Sequence, residues 1–138
     1  MAQDYIVISP TKTILREGAI EVLAYLKPLY FLGLITNGFD EIQYIKIRKS
    51  GLEPFFKRVV TSEQAGHKKP NPGIFSFALQ QTAANASTSL YVGDEPETDV
   101  VGARNAGIDQ VLVTFGKEIH NESATYTISS LIELKDLL

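Results

Sequence analysis

The sequence contains no cysteine among its 138 residues, which excludes both a disulfide framework and a thiolate metal site. Long apolar runs are missing too, because nothing approaches the roughly eighteen consecutive apolar residues of a membrane-spanning helix, and no basic leader precedes an apolar segment at the start. Positive charge is scarce, since 13 Lys and Arg stand against 16 Asp and Glu, for a net charge of −3. These absences predict a cytoplasmic protein that binds neither nucleic acid nor a membrane.

Short apolar runs alternate with amphipathic stretches along the chain, of which 44% of the residues are hydrophobic and 21% are charged. The length and composition fit a single domain over residues 1–138 with a core of its own. The alternation is typical of an α/β fold in three layers, a mostly parallel sheet with helices on both faces. The predicted strands are Tyr5–Ile8, Phe31–Thr36, Arg58–Thr61, Ser89–Val92 and Gln110–Val113.

Helix signals fill the stretches between these strands. Asn71 is a good N-cap residue, and Pro72 then falls in the first turn, where proline suits a helix. Near the end of the chain, Ser130 and Glu133 have the spacing of a capping box. The predicted helices are Gly18–Lys27, Phe39–Lys49, a helix that starts after Asn71, Val100–Asn105 and a C-terminal helix after Ser130.

Polar residues follow the second predicted strand. In an open α/β sheet, ligands bind where the carboxyl ends of the strands meet. Thr36-Asn37-Gly38 offers a hydroxyl and backbone N–H groups ahead of a helix, a combination that suits a phosphate oxygen. Taken alone, the same three residues also fit a simple Asn-Gly turn.

A lysine and two aspartates follow the next strands. Lys69 stands directly before Pro70 at the start of a helix, where a solvated loop lysine is the ordinary alternative. Asp94 stands at the tip of the fourth strand and Asp99 in the following turn, and paired acids there serve either as ligands or as caps of a helix N-terminus. Because an unpaired buried charge is unfavourable, carboxylates at the mouth of a buried strand predict a facing cation or a set of donors.

The ordered set is more specific than any of its members. A strand followed by Thr-Asn, a Lys-Pro before a helix, and a strand followed by Gly-Asp with a second Asp five positions on resemble the second, third and fourth motifs of the haloacid dehalogenase superfamily of phosphotransferases. The segments ITNGFDEIQYIKIRKSGLEPFF, KKPNPGIFSFALQQT and VGDEPETDVVGARNAGID look like the branch that contains pyrimidine 5′-nucleotidases. The likeness runs from about Ile14 to the C-terminus, and residues 17–138 carry the three motifs.

The resemblance implies a Rossmann-like core, Mg²⁺ as cofactor and a phosphorylated small molecule, such as a nucleoside monophosphate, as ligand. It implies that Thr36 and the backbone donors of the loop after it hold phosphoryl oxygens, while Lys69 neutralises charge between nucleophile and phosphoryl group. Asp94 is expected to bind Mg²⁺, and Asp99 to orient a metal-bound water or Lys69. Phosphoryl transfer is catalysed mainly by positioned positive charge and donors, which this set supplies.

The first motif of the superfamily is absent from the sequence. In that motif an apolar strand ends in Asp-x-Asp, whose first Asp is the nucleophile, whereas here Asp4 precedes the apolar run Tyr5–Ile8. Residues 1–16 allow two explanations. They are either the exit from a helical cap, in a truncated chain that lacks its cap domain, or a degenerate first motif with Ser9 and Thr11 at the two Asp positions and Thr13 at the final one.

The missing Asp leads us to expect a phosphatase core with little or no activity of its own and weak Mg²⁺ binding. Ser9 has no adjacent base in the sequence to activate it as a nucleophile. The alternative is a non-catalytic module that binds phosphate or a partner. Candidate partners are a missing N-terminal fragment and a second copy of the chain, because an incomplete sheet exposes unpaired strand edges.

One structural expectation follows from the same gap. In the superfamily the first-motif strand is central, between the strands that lead to Thr36 and Asp94. Removing it would leave rows of unpaired backbone groups. We therefore expect Tyr5–Ile8 to occupy that central position.

Overall fold

Six parallel strands form the sheet of this chain. A computed structural model describes residues 5–9, 18–38, 40–118 and 124–138. The strands are β1 (Tyr5–Ile8), β2 (Phe31–Thr36), β3 (Arg58–Thr61), β4 (Ser89–Gly93), β5 (Asp109–Val113) and β6 (Tyr126–Ile128). Their order across the sheet is β3-β2-β1-β4-β5-β6, and every neighbouring pair is parallel.

Helices and short helical turns connect the strands. The helices are α1 (Ala19–Leu26), α2 (Asp40–Lys49), α3 (Ser62–Ala65), α4 (Pro72–Thr82), α5 (Val101–Asn105) and α6 (Leu134–Leu137). Asn71 caps α4 as predicted, since its side chain accepts a hydrogen bond from the N–H of Gly73 at 2.7 Å. None of the helices in the described ranges is long and apolar enough to cross a bilayer.

The central position of β1 confirms the expectation for Tyr5–Ile8. It pairs with β2 on one side and β4 on the other, so that Val7 lies opposite both Gly33 and Tyr91. All four of its residues are buried, as a central strand covered on both faces requires. The carboxyl end of β1 consequently lies between those of the two neighbouring strands.

Alternate residues of each inner strand face two separate hydrophobic cores. Ile6 and Ile8 pack with α1 and α6 on one face of the sheet, whereas Tyr5 and Val7 pack with α4 and α5 on the other. This arrangement confirms the predicted three layers. Burial of each large aliphatic side chain contributes about 1.5–3 kcal/mol, so the two cores together fix the register of the strands.

The structure differs from the predicted elements in four places. The strand β6 and the short helix α3 were not expected. The C-terminal helix is split into a 3₁₀ turn, Leu131–Glu133, followed by α6. Val100, the predicted first residue of α5, is instead the last residue of a π-helical turn, Pro96–Val100, that runs directly into α5. Phe39, the predicted first residue of the second helix, lies outside the described residues.

Candidate functional site

All six residues predicted to form the site lie at the carboxyl edge of the sheet. They are Thr36, Asn37, Gly38, Lys69, Asp94 and Asp99. Three loops bring them there, since β2 ends in Thr36, β4 ends directly before Asp94, and Lys69 precedes α4. Ser9, the residue after β1, lies between the ends of β2 and β4, because β1 is the strand between them. Its N–H donates to the carbonyl of Val92 in β4 at 2.8 Å.

Lys69 is buried, with 5% of its surface exposed, so the alternative of a solvated loop lysine is wrong. Its Nζ donates to Asp99 Oδ1 at 2.8 Å, to the Tyr91 hydroxyl at 3.0 Å and to Ser9 Oγ at 3.2 Å. An ammonium group has three N–H donors, and here each has an acceptor. The positive charge is thereby held in place at the carboxyl edge, next to its counter-charge.

Asp99 is the buried partner that holds Lys69. Besides Lys69, the Tyr91 hydroxyl donates to its Oδ1 at 3.1 Å, and the N–H groups of Asp94 and Glu95 donate to its Oδ2 at 3.2 and 3.0 Å. Four donors occupy about the full capacity of a carboxylate. This geometry fits the expected role of orienting Lys69, while a share in metal binding remains a prediction.

Gly93 makes room for this carboxylate. A Cβ at Gly93 would collide with the Cγ and Oδ2 atoms of Asp99, whose side chain lies directly over the glycine. The π-helical turn after β4 brings Asp99 back to that position, since the Asp99 N–H donates to the Glu95 carbonyl at 2.8 Å. The Gly-Asp pair at the tip of β4 is therefore needed for packing as well as for charge.

Asn37 ties the loop after β2 to the loop before α4. Its side-chain Nδ2 donates to the Lys69 carbonyl at 3.2 Å, and its Oδ1 accepts from the Lys69 N–H at 2.7 Å. The N–H of Gly38 donates to Thr36 Oγ1 at 3.1 Å, so the buried Thr36 hydroxyl keeps its own proton for another acceptor. The loop after β2 thus carries one hydroxyl donor and is tied to the backbone of Lys69, whose side chain bears the buried ammonium group.

Tyr91 belongs to this cluster but was not predicted. Burial raises the pKa of its hydroxyl well above the usual value, and the negative charge of Asp99 raises the pKa further. The hydroxyl therefore stays protonated and donates to Asp99, while its ring meets Phe75 edge-on at a centroid distance of 5.0 Å. The available signal was a tyrosine in an otherwise aliphatic buried strand, because a buried phenol usually needs a partner.

A magnesium ion fits these residues only through a small number of protein ligands. Asp94 is nearly buried at the tip of β4, and the carboxylate of Asp99 is already occupied by donors. Within the described ranges, no group of three or more His, Cys, Asp or Glu is arranged to hold a metal ion. Magnesium tolerates this arrangement, because it keeps several waters and binds through one or two carboxylates and substrate phosphates.

The second and third positions of the possible degenerate first motif, Thr11 and Thr13, lie outside the described residues. Ser9 is described, and its hydroxyl stands at the end of the central strand beside Lys69. The chain therefore has a hydroxyl at the carboxyl end of its central strand, within hydrogen-bond distance of the Lys69 ammonium group.

The chain is similar to haloacid dehalogenase-like hydrolases. The model of that family matches residues 3–113, most of the chain. The chain is 37% identical over 124 residues to the pyrimidine 5′-nucleotidase YjjG of Escherichia coli, covering 88% of this chain and 55% of that protein. It is 42% identical over 106 residues to a glyceraldehyde 3-phosphate phosphatase of Pyrococcus abyssi, covering 75% and 44%. The chain spans about half the length of these curated relatives.

The fold is also similar to that of a crystal structure of YfnB from Bacillus subtilis, which is bound to magnesium. The TM-score is 0.84 at 31% identity, over 89% of this chain and 55% of that one. The likeness thus extends over most of this chain and about half of that one.

Proposed function

This chain belongs to the haloacid dehalogenase-like hydrolase family, and we propose that it is the phosphate-binding core of a phosphomonoester hydrolase. The single observation that carries the proposal is the buried Lys69, whose ammonium group is held by Asp99 and whose backbone is joined through Asn37 to the loop that follows Thr36. A fixed positive charge beside a hydroxyl donor suits the phosphoryl group, whose transfer spreads negative charge over its oxygens.

The proposed substrates are small phosphomonoesters, with a pyrimidine nucleoside monophosphate as the first candidate. The names of two relatives refer to pyrimidine 5′-nucleotides and to glyceraldehyde 3-phosphate. The chemical group that these two compounds have in common is the phosphomonoester. In this chain the Thr36 corner and Lys69 would bind that common group.

Asp94 would hold Mg²⁺, together with waters and a phosphate oxygen of the substrate. The bound ion would supply further positive charge to the phosphoryl oxygens. Asp99 would act on Lys69 as a positioning residue. Because one carboxylate would carry most of the binding, we expect the affinity for Mg²⁺ to be weak in the absence of a phosphate ligand.

Turnover by this chain should be low because of Ser9. The Ser9 hydroxyl accepts a hydrogen bond from Lys69, and an ammonium group held by Asp99 cannot take up the serine proton. A carboxylate at the same position would be ionised at neutral pH and would need no base. The lack of an activated nucleophile therefore limits the reaction, and phosphate binding is expected to persist.

The test is hydrolysis of p-nitrophenyl phosphate and of a pyrimidine 5′-monophosphate with Mg²⁺, comparing the wild-type chain with Ser9→Asp and with the isosteric control Ser9→Asn. We expect Ser9→Asp to exceed Ser9→Asn by at least about tenfold, because only the first supplies an anionic nucleophile. Adding Lys69→Met to Ser9→Asp should abolish the gain. Equal rates for the two serine variants, in chains that remain folded by near-UV circular dichroism, would contradict the hydrolase proposal.

A second candidate is a module that binds phosphate without turnover, which the serine at the end of β1 favours. Titration with inorganic phosphate, followed by amide chemical shifts, separates the two. Both candidates predict shifts at Thr36–Gly38 that are lost in Lys69→Met. Binding without any gain in Ser9→Asp would select the module, and no binding would contradict both candidates.

A further inference from the structure

A groove of about 920 Å³ lies at the amino edge of the sheet, opposite the carboxyl edge that carries Thr36 and Lys69. Tyr5, the first residue of β1, lines it, whereas Ser9 at the other end of that strand belongs to the site described above. Four residues of extended chain separate the two edges by about 13 Å. The groove is therefore a separate location, independent of the proposed function.

The walls of this amino-edge groove are mainly aromatic and aliphatic. Leu29 and Phe31 are exposed by 57% and 56%, and the half-buried Phe55 and Phe56, which also line the groove, pack against the core. Single exposed apolar side chains are ordinary on a protein surface. Here they converge on one concave surface, whose volume is in the range of small-molecule sites.

Among the described residues that line the groove, the charged side chains are both lysines. Lys27 Nζ stands 5.9 Å from the centroid of the Phe55 ring, and Lys57 Nζ stands 5.5 Å from that of the Phe31 ring. No Asp or Glu is among the described residues that line the groove, and over the same part of the chain neither lysine forms an ion pair. The described lining of the groove thus carries two positive charges in a chain whose net charge is −3.

A favourable interaction with a helix dipole accounts for the position of only one of the two lysines. Lys27 follows the last turn of α1, where a cation is favourable. Lys57 lies between the 3₁₀ turn Glu53–Phe55 and β3, with no α-helix end beside it in the chain. Both ammonium groups are held over aromatic rings at the rim, which places positive charge next to a flat apolar surface.

We propose that the amino-edge groove binds a small organic anion with a flat aromatic body, such as an aromatic carboxylate or sulfonate. The aromatic walls match the body of such a ligand, and Lys27 and Lys57 match its charge. Both features are needed, since an inorganic anion would leave the apolar walls exposed and a neutral ring would leave the lysines unpaired.

The test uses anilinonaphthalene sulfonate as the probe and phenylnaphthylamine, the same fluorophore without the sulfonate, as its neutral counterpart. Amide chemical shifts of the full chain locate the bound sulfonate. We expect saturable shifts at residues 29–32 and 55–57 and at residues 83–85, which also line the groove, with none at Thr36–Gly38. Fluorescence titration then gives the two affinities.

The variants separate the charge from the apolar surface. Lys27→Gln combined with Lys57→Gln should weaken sulfonate binding by about tenfold and change phenylnaphthylamine binding by less than about twofold. Lys135→Gln is the matched control, because Lys135 Nζ also stands over an aromatic ring, 5.4 Å from the Tyr25 centroid, but away from the groove. This control should bind both probes as the wild-type chain does.

Three results would overturn the proposal. The first is no saturable shift at the groove up to about 1 mM sulfonate. The second is an equal loss of affinity in Lys135→Gln. The third is groove shifts that follow protein concentration and not the probe, which would make the groove a contact between copies of the chain.

Discussion

At the residue scale, the buried ion pair of Lys69 and Asp99 dominates the site. We predict that Asp99→Asn lowers the free energy of unfolding by about 3–5 kcal/mol, because it leaves a buried ammonium group without its counter-charge. The measurement is urea unfolding at pH 7. Lys69→Met added to Asp99→Asn should recover much of the loss, since no unpaired charge then remains buried.

A matched control for that experiment is the exposed pair of Glu21 and Lys135, 3.3 Å apart. Glu21→Gln should change the free energy of unfolding by less than about 1 kcal/mol, as exposed pairs usually do. An Asp99→Asn variant as stable as Glu21→Gln would show that the buried pair is not needed for folding.

The sequence was informative about single residues where chain order placed them after a strand. Thr36, Lys69 and Asp94 were predicted in this way, since the carboxyl ends of parallel strands must meet at one edge. Tyr91 was missed, because its two bonds to Lys69 and Asp99 follow from the side-chain packing of β4 and not from any periodic pattern. The saturation of Asp99 by four donors is equally a property of three-dimensional contacts.

At the element scale, β1 is the strand on which the sheet depends. We predict that Val7→Pro lowers the free energy of unfolding by at least about 3 kcal/mol, because proline removes a ladder N–H from a strand paired on both sides. Val7→Ala, the control, keeps that N–H and should lose about 2 kcal/mol through lost burial.

The measurement is urea unfolding of both variants beside the wild-type chain. If the two variants were equally stable, the strand would be held by side-chain packing alone and its backbone pairing on both sides would be unnecessary. Chemical shifts of the neighbouring strands β2 and β4 give a second readout of that pairing.

Elements with strong apolar patterns were predicted well, and weakly patterned ones were not. The five predicted strands match β1 to β5 within one residue at each end. The sixth, β6, has only three residues, two of them exposed, so it lacks the buried run that identifies a parallel strand. The π-helical turn likewise was not predicted, because the contact of Asp99 with Gly93 that accompanies it is formed only in the folded chain.

At the scale of the whole molecule, two buried tyrosines make stability depend on alkaline pH. Burial raises the pKa of Tyr5 from 10.0 to about 12, and the pKa of Tyr91 is raised as well. Below pH 10 these phenols are protonated in both the folded and the unfolded chain, so their contribution is constant. Between pH 10 and 12 the unfolded chain loses the Tyr5 proton while the folded chain keeps it, and stability falls.

We predict that Tyr5 alone accounts for a loss of about 2.7 kcal/mol in the free energy of unfolding across that range. Urea unfolding from pH 8 to pH 12 measures it. Tyr5→Phe should reduce the alkaline slope, because it removes the buried phenol whose pKa is raised. Tyr126→Phe, at a 40% exposed position, should leave the slope unchanged.

The paired hydrogen bonds between the Asn37 amide and the Lys69 backbone join two loops that are 32 positions apart in the chain. Because each partner supplies one donor and one acceptor, the two hydrogen bonds oppose rotation of the loops relative to each other as well as their separation. The two loops therefore form a single cooperative unit. If phosphate binds as proposed, the ordering of the first loop would also order the second, so that the entropy of immobilisation would be lost once for both loops.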